Sequence, residues 1–133
     1  MDTPEPGDIV WCRFPERPRD VPGPKPRPVL VMVVDHLEDG LAIEVAYGTS
    51  QHLDRMNSGE FAIRKRDSEA AYLLAGLSYD TKFDLKHTLV LPWNDGFFGV
   101  APMAPYGQNP KLGTLHPCLM KALEAAVRAA SKK

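Results

Sequence analysis

The chain has 133 residues, which fits one domain and leaves no room for a second catalytic domain. Hydrophobic residues make up 44% and charged residues 25% of it, which excludes a fibrous or wholly disordered protein, and a net charge of −1 gives no overall attraction to nucleic acid. No apolar run approaches the roughly 20 residues that span a bilayer, and the opening residues MDTPEPGD do not resemble a secretory leader, so we expect a cytoplasmic protein without a membrane partner.

The first predicted strand is GDIVWCRF, residues 7–14. Extended backbone would place Ile9 and Trp11 on one face and Val10 and Cys12 on the other. Eight of the 13 prolines lie in the first 28 residues, and proline removes a backbone donor. We therefore predict a long projecting loop over residues 15–26.

The next segment, RPVLVMVVD over residues 27–35, is β-branched and almost wholly apolar, which predicts a central strand buried on both faces. Residues 38–40 make a turn, and LAIEVAY over residues 41–47 returns as the second strand of a hairpin. We expect this strand to break at Gly48.

Further along, EFAIR over residues 60–64 predicts a short strand, and residues 67–75 predict a short helix capped by Asp67 or Ser68. Two closing strands are expected over residues 77–85 and 87–93, followed by a loop.

The C-terminal segment predicts a helix over residues 117–130, with Pro117 at its first position and apolar residues at helical spacing after it. Short antiparallel strands with two helices and no βαβ alternation predict a mainly β fold. We interpret residues 1–133 as one domain. It would be a small SH3-like barrel (core about 7–93), an extra loop over 94–115, one short internal helix and the C-terminal helix.

No common catalytic or metal motif is present. The four histidines are scattered, the chain has no P-loop, GxGxxG or GxSxG sequence, and Cys12 and Cys118 form no CxxC pair. We therefore predict no metal and no cofactor, and two reduced, partly buried thiols.

The order GDIVWCRF, a basic proline-rich loop, RPVLVM and then a strand ending in Thr-Ser-Gln resembles the MazF/PemK (Kid) family of toxins. The resemblance is close over residues 7–51 and loose over 59–93. It implies an SH3-like barrel that forms a homodimer and cleaves single-stranded RNA (mRNA) without a metal. It also implies a type II toxin–antitoxin system, in which a cognate antitoxin protein blocks the RNA groove.

The resemblance places catalytic residues at Arg27 and Thr49, with Ser50 beside them and Gln51 completing the element. RNA supplies its own nucleophile, the 2′-OH, so the enzyme has only to orient it, move a proton and neutralise the phosphorane. A guanidinium gives a planar fork of donors to phosphate oxygens, and a threonine hydroxyl can donate or accept beside them.

Two weaker catalytic candidates follow the same segment. His52 lies three residues after Thr49, and imidazole readily exchanges protons near neutral pH. Asp80 and Lys82, in the sequence YDTKFDL, loosely match the acidic and basic positions of the family. We predict that Asp80 is a catalytic residue and that Lys82 binds substrate.

The remaining predicted substrate contacts are aromatic or basic. Aromatic rings stack on unpaired bases, and basic side chains bind phosphate. The candidates are Trp11, Phe14 and Tyr47 for stacking, Arg17, Arg19 and Lys25 for phosphate, and Gln51 for polar contacts.

Other interpretations remain open. Arg27 can be an ordinary solvated residue at a strand entry, Thr49 a turn residue, and Trp11 part of the core. The same barrel can act without chemistry, as an inhibitory binding protein of the CcdB kind or as an inactive RNA-binding relative. The segment from Trp93 to Leu115 exceeds the family pattern and bears on the geometry of the dimer and groove.

Overall fold

The structure is a computed structural model that describes residues 2–16, 21–100 and 109–132. The described residues form six strands and two α-helices, and a 3₁₀ turn at Pro117–Leu119 leads into the second helix. The elements are β1 (Asp8–Cys12), β2 (Arg27–Leu37), β3 (Gly40–Thr49), β4 (Glu60–Ile63), α1 (Glu69–Leu74), β5 (Thr81–Pro92), β6 (Lys111–Thr114) and α2 (Met120–Ser131).

All six strands belong to one antiparallel sheet with the order β4-β5-β3-β2-β1-β6. The predicted mainly β fold is therefore confirmed. Within the described part of the chain, pairing ends at β4 on one side and at β6 on the other. Strand pairing does not close the sheet, so the SH3-like barrel stays a prediction.

Two apolar cores form on opposite faces of the sheet, and the alternation in β1 separates them as predicted. Ile9 packs with Leu30 and with Ala126 of α2 in one core. Val10 and Cys12 pack in the other core. Because a β-strand points successive side chains to opposite faces, one short strand contributes to both.

The prediction that β2 is buried on both faces is wrong for its second half. The strand runs on to Leu37, and Val33 is 42% exposed. The neighbouring strand β1 pairs only with Arg27 to Leu30, so beyond that point β2 has β3 alone as a partner. In this half of β2 the apolar sequence belongs to a strand that has a neighbour on one side only.

The two predicted closing strands are one strand, β5, which begins only at Thr81. Residues 85–87 make an irregularity in it, because Ala46 of β3 pairs with Thr88 while the next residue, Tyr47, pairs with Asp84. Such a bulge bends a strand without ending it. Residues 77–80, predicted as strand, instead precede β5.

The predicted loop over residues 94–115 contains a strand that the sequence analysis missed. β6 pairs with β1, and Phe98 is fully buried and bridges to Cys12. The short sequence KLGT of β6 carries little strand signal of its own.

Both predicted helices are confirmed. α1 lies inside the predicted 67–75, and the Ser68 hydroxyl caps it by accepting from the Ala71 N–H at 3.2 Å. Before α2, the His116 Nδ1 accepts from the Cys118 N–H at 3.0 Å. No helix in the described part of the chain is long and apolar enough to cross a membrane.

The two thiols differ from the prediction that both are partly buried. Cys12 is fully buried, and its burial raises the pKa of the thiol to about 12, an effect that the nearby Arg27 charge opposes. Cys118, at the 3₁₀ turn, is exposed.

Candidate functional site

A groove of about 590 Å³ opens at one end of the sheet, where the start of β2 meets the end of β3. Five separate stretches of the chain line it. The lining residues are Trp11, Lys25, Pro26, Arg27, Pro28, Thr49, Ser50, Gln51, Gly76, Leu77, Ser78, Tyr79, Thr81 and Leu112. We call this the first groove.

Arg27 is the first residue of β2 and is held against the aromatic ring of Tyr47. Its Nη1 donates to the Tyr47 hydroxyl at 2.7 Å, and its Cζ lies 4.8 Å from the centroid of the Tyr47 ring. Pro28, which follows it, disfavours the helical conformation for Arg27 and favours extended backbone. Arg27 is half-buried, and its two contacts with Tyr47 orient the guanidinium.

Tyr47 is itself fixed by two further rings. The His87 ring stacks on it with centroids 4.9 Å apart, and Phe14 meets it edge-on at 5.3 Å. Phe14 is 3% exposed and lines neither this groove nor a second groove next to it. It therefore supports Tyr47 by packing, and its ring is not accessible to a base. The predicted stacking role of Phe14 is not supported by its location.

Gly48 brings Thr49 close to the start of β2. A Cβ at Gly48 would overlap the Pro28 carbonyl and crowd the Phe83 ring, so only glycine permits this approach. The predicted strand break at Gly48 is therefore wrong, since β3 continues through it to Thr49. What the glycine provides is a close contact between strands.

Thr49 ends β3 with its side chain half-buried in the groove. Its Oγ1 accepts a hydrogen bond from the Gln51 N–H at 3.1 Å, which turns the chain and leaves Ser50 and Gln51 exposed. The structure therefore brings Arg27, Thr49, Ser50 and Gln51 to one groove, together with Trp11.

A second groove of about 480 Å³ lies beside the first, and Thr49 and Gln51 line both. Most of its lining residues are polar or charged. Its lining residues are Tyr47, Thr49, Gln51, His52, Arg55, Asn57, Glu60 and Lys82.

His52 lines the second groove and not the first, so Thr49 separates it from the groove that contains Arg27. It has a left-handed φ of 58°, uncommon for a residue other than glycine, and its Nδ1 lies 3.4 Å from the Arg55 Nη2. Asp80 lines neither groove. Its Oδ1 accepts from the Lys65 N–H at 2.9 Å, which indicates a structural role for this carboxylate.

Lys82 lines the second groove but is only 4% exposed. Its Nζ donates to the Glu60 Oε1 at 3.0 Å and to the Arg55 carbonyl at 2.8 Å. A substrate phosphate would therefore have to compete with Glu60 and the Arg55 carbonyl for the Lys82 ammonium group.

Of the predicted basic contacts, Lys25 is exposed and lines the first groove. Arg17 and Arg19 lie outside the described residues. Tyr79, which no sequence motif indicates, is 73% exposed and lines the same groove. Residues 77–80 are predicted as strand but precede β5, and the sequence pattern does not indicate that this segment reaches the groove.

Across the described ranges, no three His, Cys, Asp or Glu side chains come together in a group that could hold a metal ion. The polar side chains of the first groove are hydroxyl, amide and basic groups. These are donors to an anionic ligand.

Comparison with known proteins does not assign the chain to a family. No protein-family model matches it, and no curated protein matches it either.

Proposed function

We propose that this protein is a toxin of the MazF/PemK kind, a metal-independent endoribonuclease that cleaves single-stranded RNA at specific sequences. The observation that carries the proposal is the convergence of Arg27 and Thr49 in the first groove, because they lie 22 positions apart in sequence and on different strands. Gln51 and Trp11 line the same groove.

The chemistry needs few protein groups. The 2′-hydroxyl of the RNA gives up its proton to a base as its oxygen attacks the adjacent phosphorus, the bond from phosphorus to the 5′-oxygen breaks, and the 5′-oxygen takes up a proton. Arg27 stabilises the added negative charge on the phosphorane, and Thr49 orients the phosphate or the attacking hydroxyl. His52, which lines the second groove together with Thr49, is the candidate for taking the proton from the 2′-hydroxyl and giving one to the 5′-oxygen.

The rims of the groove suit an unpaired strand. Trp11 and the exposed ring of Tyr79 both line the groove. Bases that are not paired can stack on such rings, whereas a duplex keeps its bases stacked on each other. Lys25 adds a positive charge for the phosphate backbone.

We also propose the other properties that the resemblance implies, namely the fold, the oligomeric state and the partner. The sheet would curl into an SH3-like barrel, two copies would form a homodimer, and an acidic cognate antitoxin would cover the groove and block Arg27. The protein would act in the cytoplasm on mRNA.

The test is incubation of the purified protein with a long single-stranded RNA in EDTA, with the cut positions mapped. Arg27→Gln removes the guanidinium charge and keeps a polar side chain, and Thr49→Val removes the hydroxyl with little change in side-chain size. Arg66→Gln and Thr88→Val are matched controls, because neither residue lines either groove.

We expect sequence-specific cuts in EDTA, rates lowered about 10²- to 10³-fold in the two groove variants, and normal rates in the two controls. Intact RNA across many sequences would refute the nuclease and favour an inhibitory binding protein of the CcdB kind. Cuts that persist in both groove variants would mean that the activity uses another site.

A further inference from the structure

The connection between β3 and β4 has to cross the end of β5, because β5 lies between those two strands in the sheet. Residues 50–59 make this crossing. Lys82 is the β5 residue beneath it, since it pairs with Thr49 on one side and with Ala62 on the other. We call residues 50–59 the crossing segment.

The buried side chain of Lys82 holds the crossing segment directly and through Glu60. Its Nζ donates to the Arg55 carbonyl at 2.8 Å and to the Glu60 Oε1 at 3.0 Å. The same Glu60 oxygen accepts from the Asn57 N–H at 2.7 Å. Hydrogen bonds that involve a charged group are stronger than neutral ones, and removing one member leaves the other charge buried and unpaired.

The crossing segment needs such support. His52 adopts a left-handed conformation that non-glycine residues seldom take, and residues 50–52 and 54–58 are exposed. Besides Lys82, the Arg64 guanidinium donates to the Leu53 carbonyl. Few apolar contacts are available to fix a segment of this kind.

We propose that Lys82 is a positioning residue, which together with Glu60 fixes the crossing segment and so sets where Thr49 and Gln51 stand between the two grooves. Glu60 neutralises the Lys82 charge, so Lys82 acts through the chain that it holds and does not serve as a free cation for RNA phosphate. The effect on the crossing segment is independent of the proposed function, and only the effect on RNA cleavage rests on it.

The test compares amide hydrogen exchange of the full-length protein and four variants, Lys82→Met, Lys82→Arg, Glu60→Gln and Lys111→Met. Lys111 is the matched control, because its Nζ lies 3.4 Å from the carboxylate of buried Asp8 and it lines neither groove. Cleavage of single-stranded RNA is measured on the same samples.

We expect exchange of residues 50–58 to become about ten- to a hundred-fold faster in Lys82→Met and in Glu60→Gln, with β2 and β3 still protected. Lys82→Arg should restore most of the protection, and Lys111→Met should not change it. For RNA cleavage, kcat should fall about tenfold or more in Lys82→Met with a smaller change in KM, and Lys82→Arg should recover it.

Exchange of residues 50–58 at the wild-type rate in the folded variants would overturn the inference, as would equal acceleration across the whole sheet. If Lys82→Met does not fold, Glu60→Gln decides, because it keeps the shape of the side chain. Accelerated exchange in the variants of a protein that never cleaves RNA would support the positioning role and refute the nuclease.

Discussion

At the scale of single residues, Cys12 makes a prediction about stability at high pH. Its thiol ionises near pH 9.0 when exposed, and burial raises that pKa to about 12 in the folded protein. Between these pH values the unfolded chain loses a proton that the folded chain keeps. The stabilisation is therefore fully present below about pH 9 and is lost as pH rises toward about 12.

The measurement is urea unfolding at several pH values for the wild type and Cys12→Ala. We expect the difference in unfolding free energy between them to change by up to about 1.4 kcal/mol per pH unit above pH 9, with the wild type losing more. Tyrosine and lysine titrate in the same range, but they are present in both proteins. A difference that does not vary with pH would contradict the assigned burial.

At the same scale, the sequence predicted that Arg27 and Thr49 lie together, but it did not predict how the side chains around them pack. The groove contains Arg27 and Thr49, whose positions follow from the order of strands. It does not contain Phe14, because whether a ring faces a groove or a neighbouring ring depends on packing that alternation along one strand does not determine. Lys82 illustrates the same limit, since its partner Glu60 comes from a strand that pairing alone brings beside it.

At the scale of elements, the approach of β6 to the segment after α1 makes a second prediction. A Cβ at Gly113 would overlap the Leu74 carbonyl and the Ala75 backbone, and one at Gly76 would overlap the Leu112 carbonyl. Backbone cannot move aside as a flexible side chain can. Gly113→Ala should therefore destabilise the fold by about 1–3 kcal/mol.

Gly99→Ala is the control for that change, because no atom of the described residues lies within 4 Å of a Cβ placed there. The measurement is the midpoint of thermal or urea unfolding of both variants. Equal stability of the two would show that β6 does not pack against the end of α1.

The elements that the sequence predicted well are those with a local signal. The Ser68 cap and the apolar spacing of α2 are evident from a few consecutive residues. The hairpin of β2 and β3 is evident from two apolar segments joined by a short turn. β6 could not be found in this way, because its four residues become a strand by pairing with β1, which lies about 100 residues away in the chain. The bulge in β5 has the same cause, since it is a property of the pairing with β3.

At the scale of the whole molecule, a net charge of −1 gives no general attraction to RNA, so binding should depend on a few local charges. Lys25 is exposed at the first groove. Each phosphate contact to a single strand steepens the plot of log affinity against log salt by about 0.7.

We therefore expect Lys25→Ala to weaken binding of single-stranded RNA and to reduce that slope by about 0.7, with Lys121→Ala, on the exposed side of α2, leaving it unchanged. Fluorescence anisotropy over a range of salt concentrations measures both. An unchanged slope for Lys25→Ala would place the RNA away from the first groove.

The most direct test of the central claim is the chemistry of the cut ends. A short RNA that contains a mapped cut site is incubated with the protein in EDTA beside the same strand with a single 2′-deoxy nucleotide before the cut, and the products are identified by mass spectrometry. Attack by the 2′-oxygen predicts a 2′,3′-cyclic phosphate and a 5′-hydroxyl from the RNA, and no cut in the deoxy strand. Cleavage of the deoxy strand at that position, or products with a 5′-phosphate, would contradict the mechanism proposed for Arg27 and Thr49.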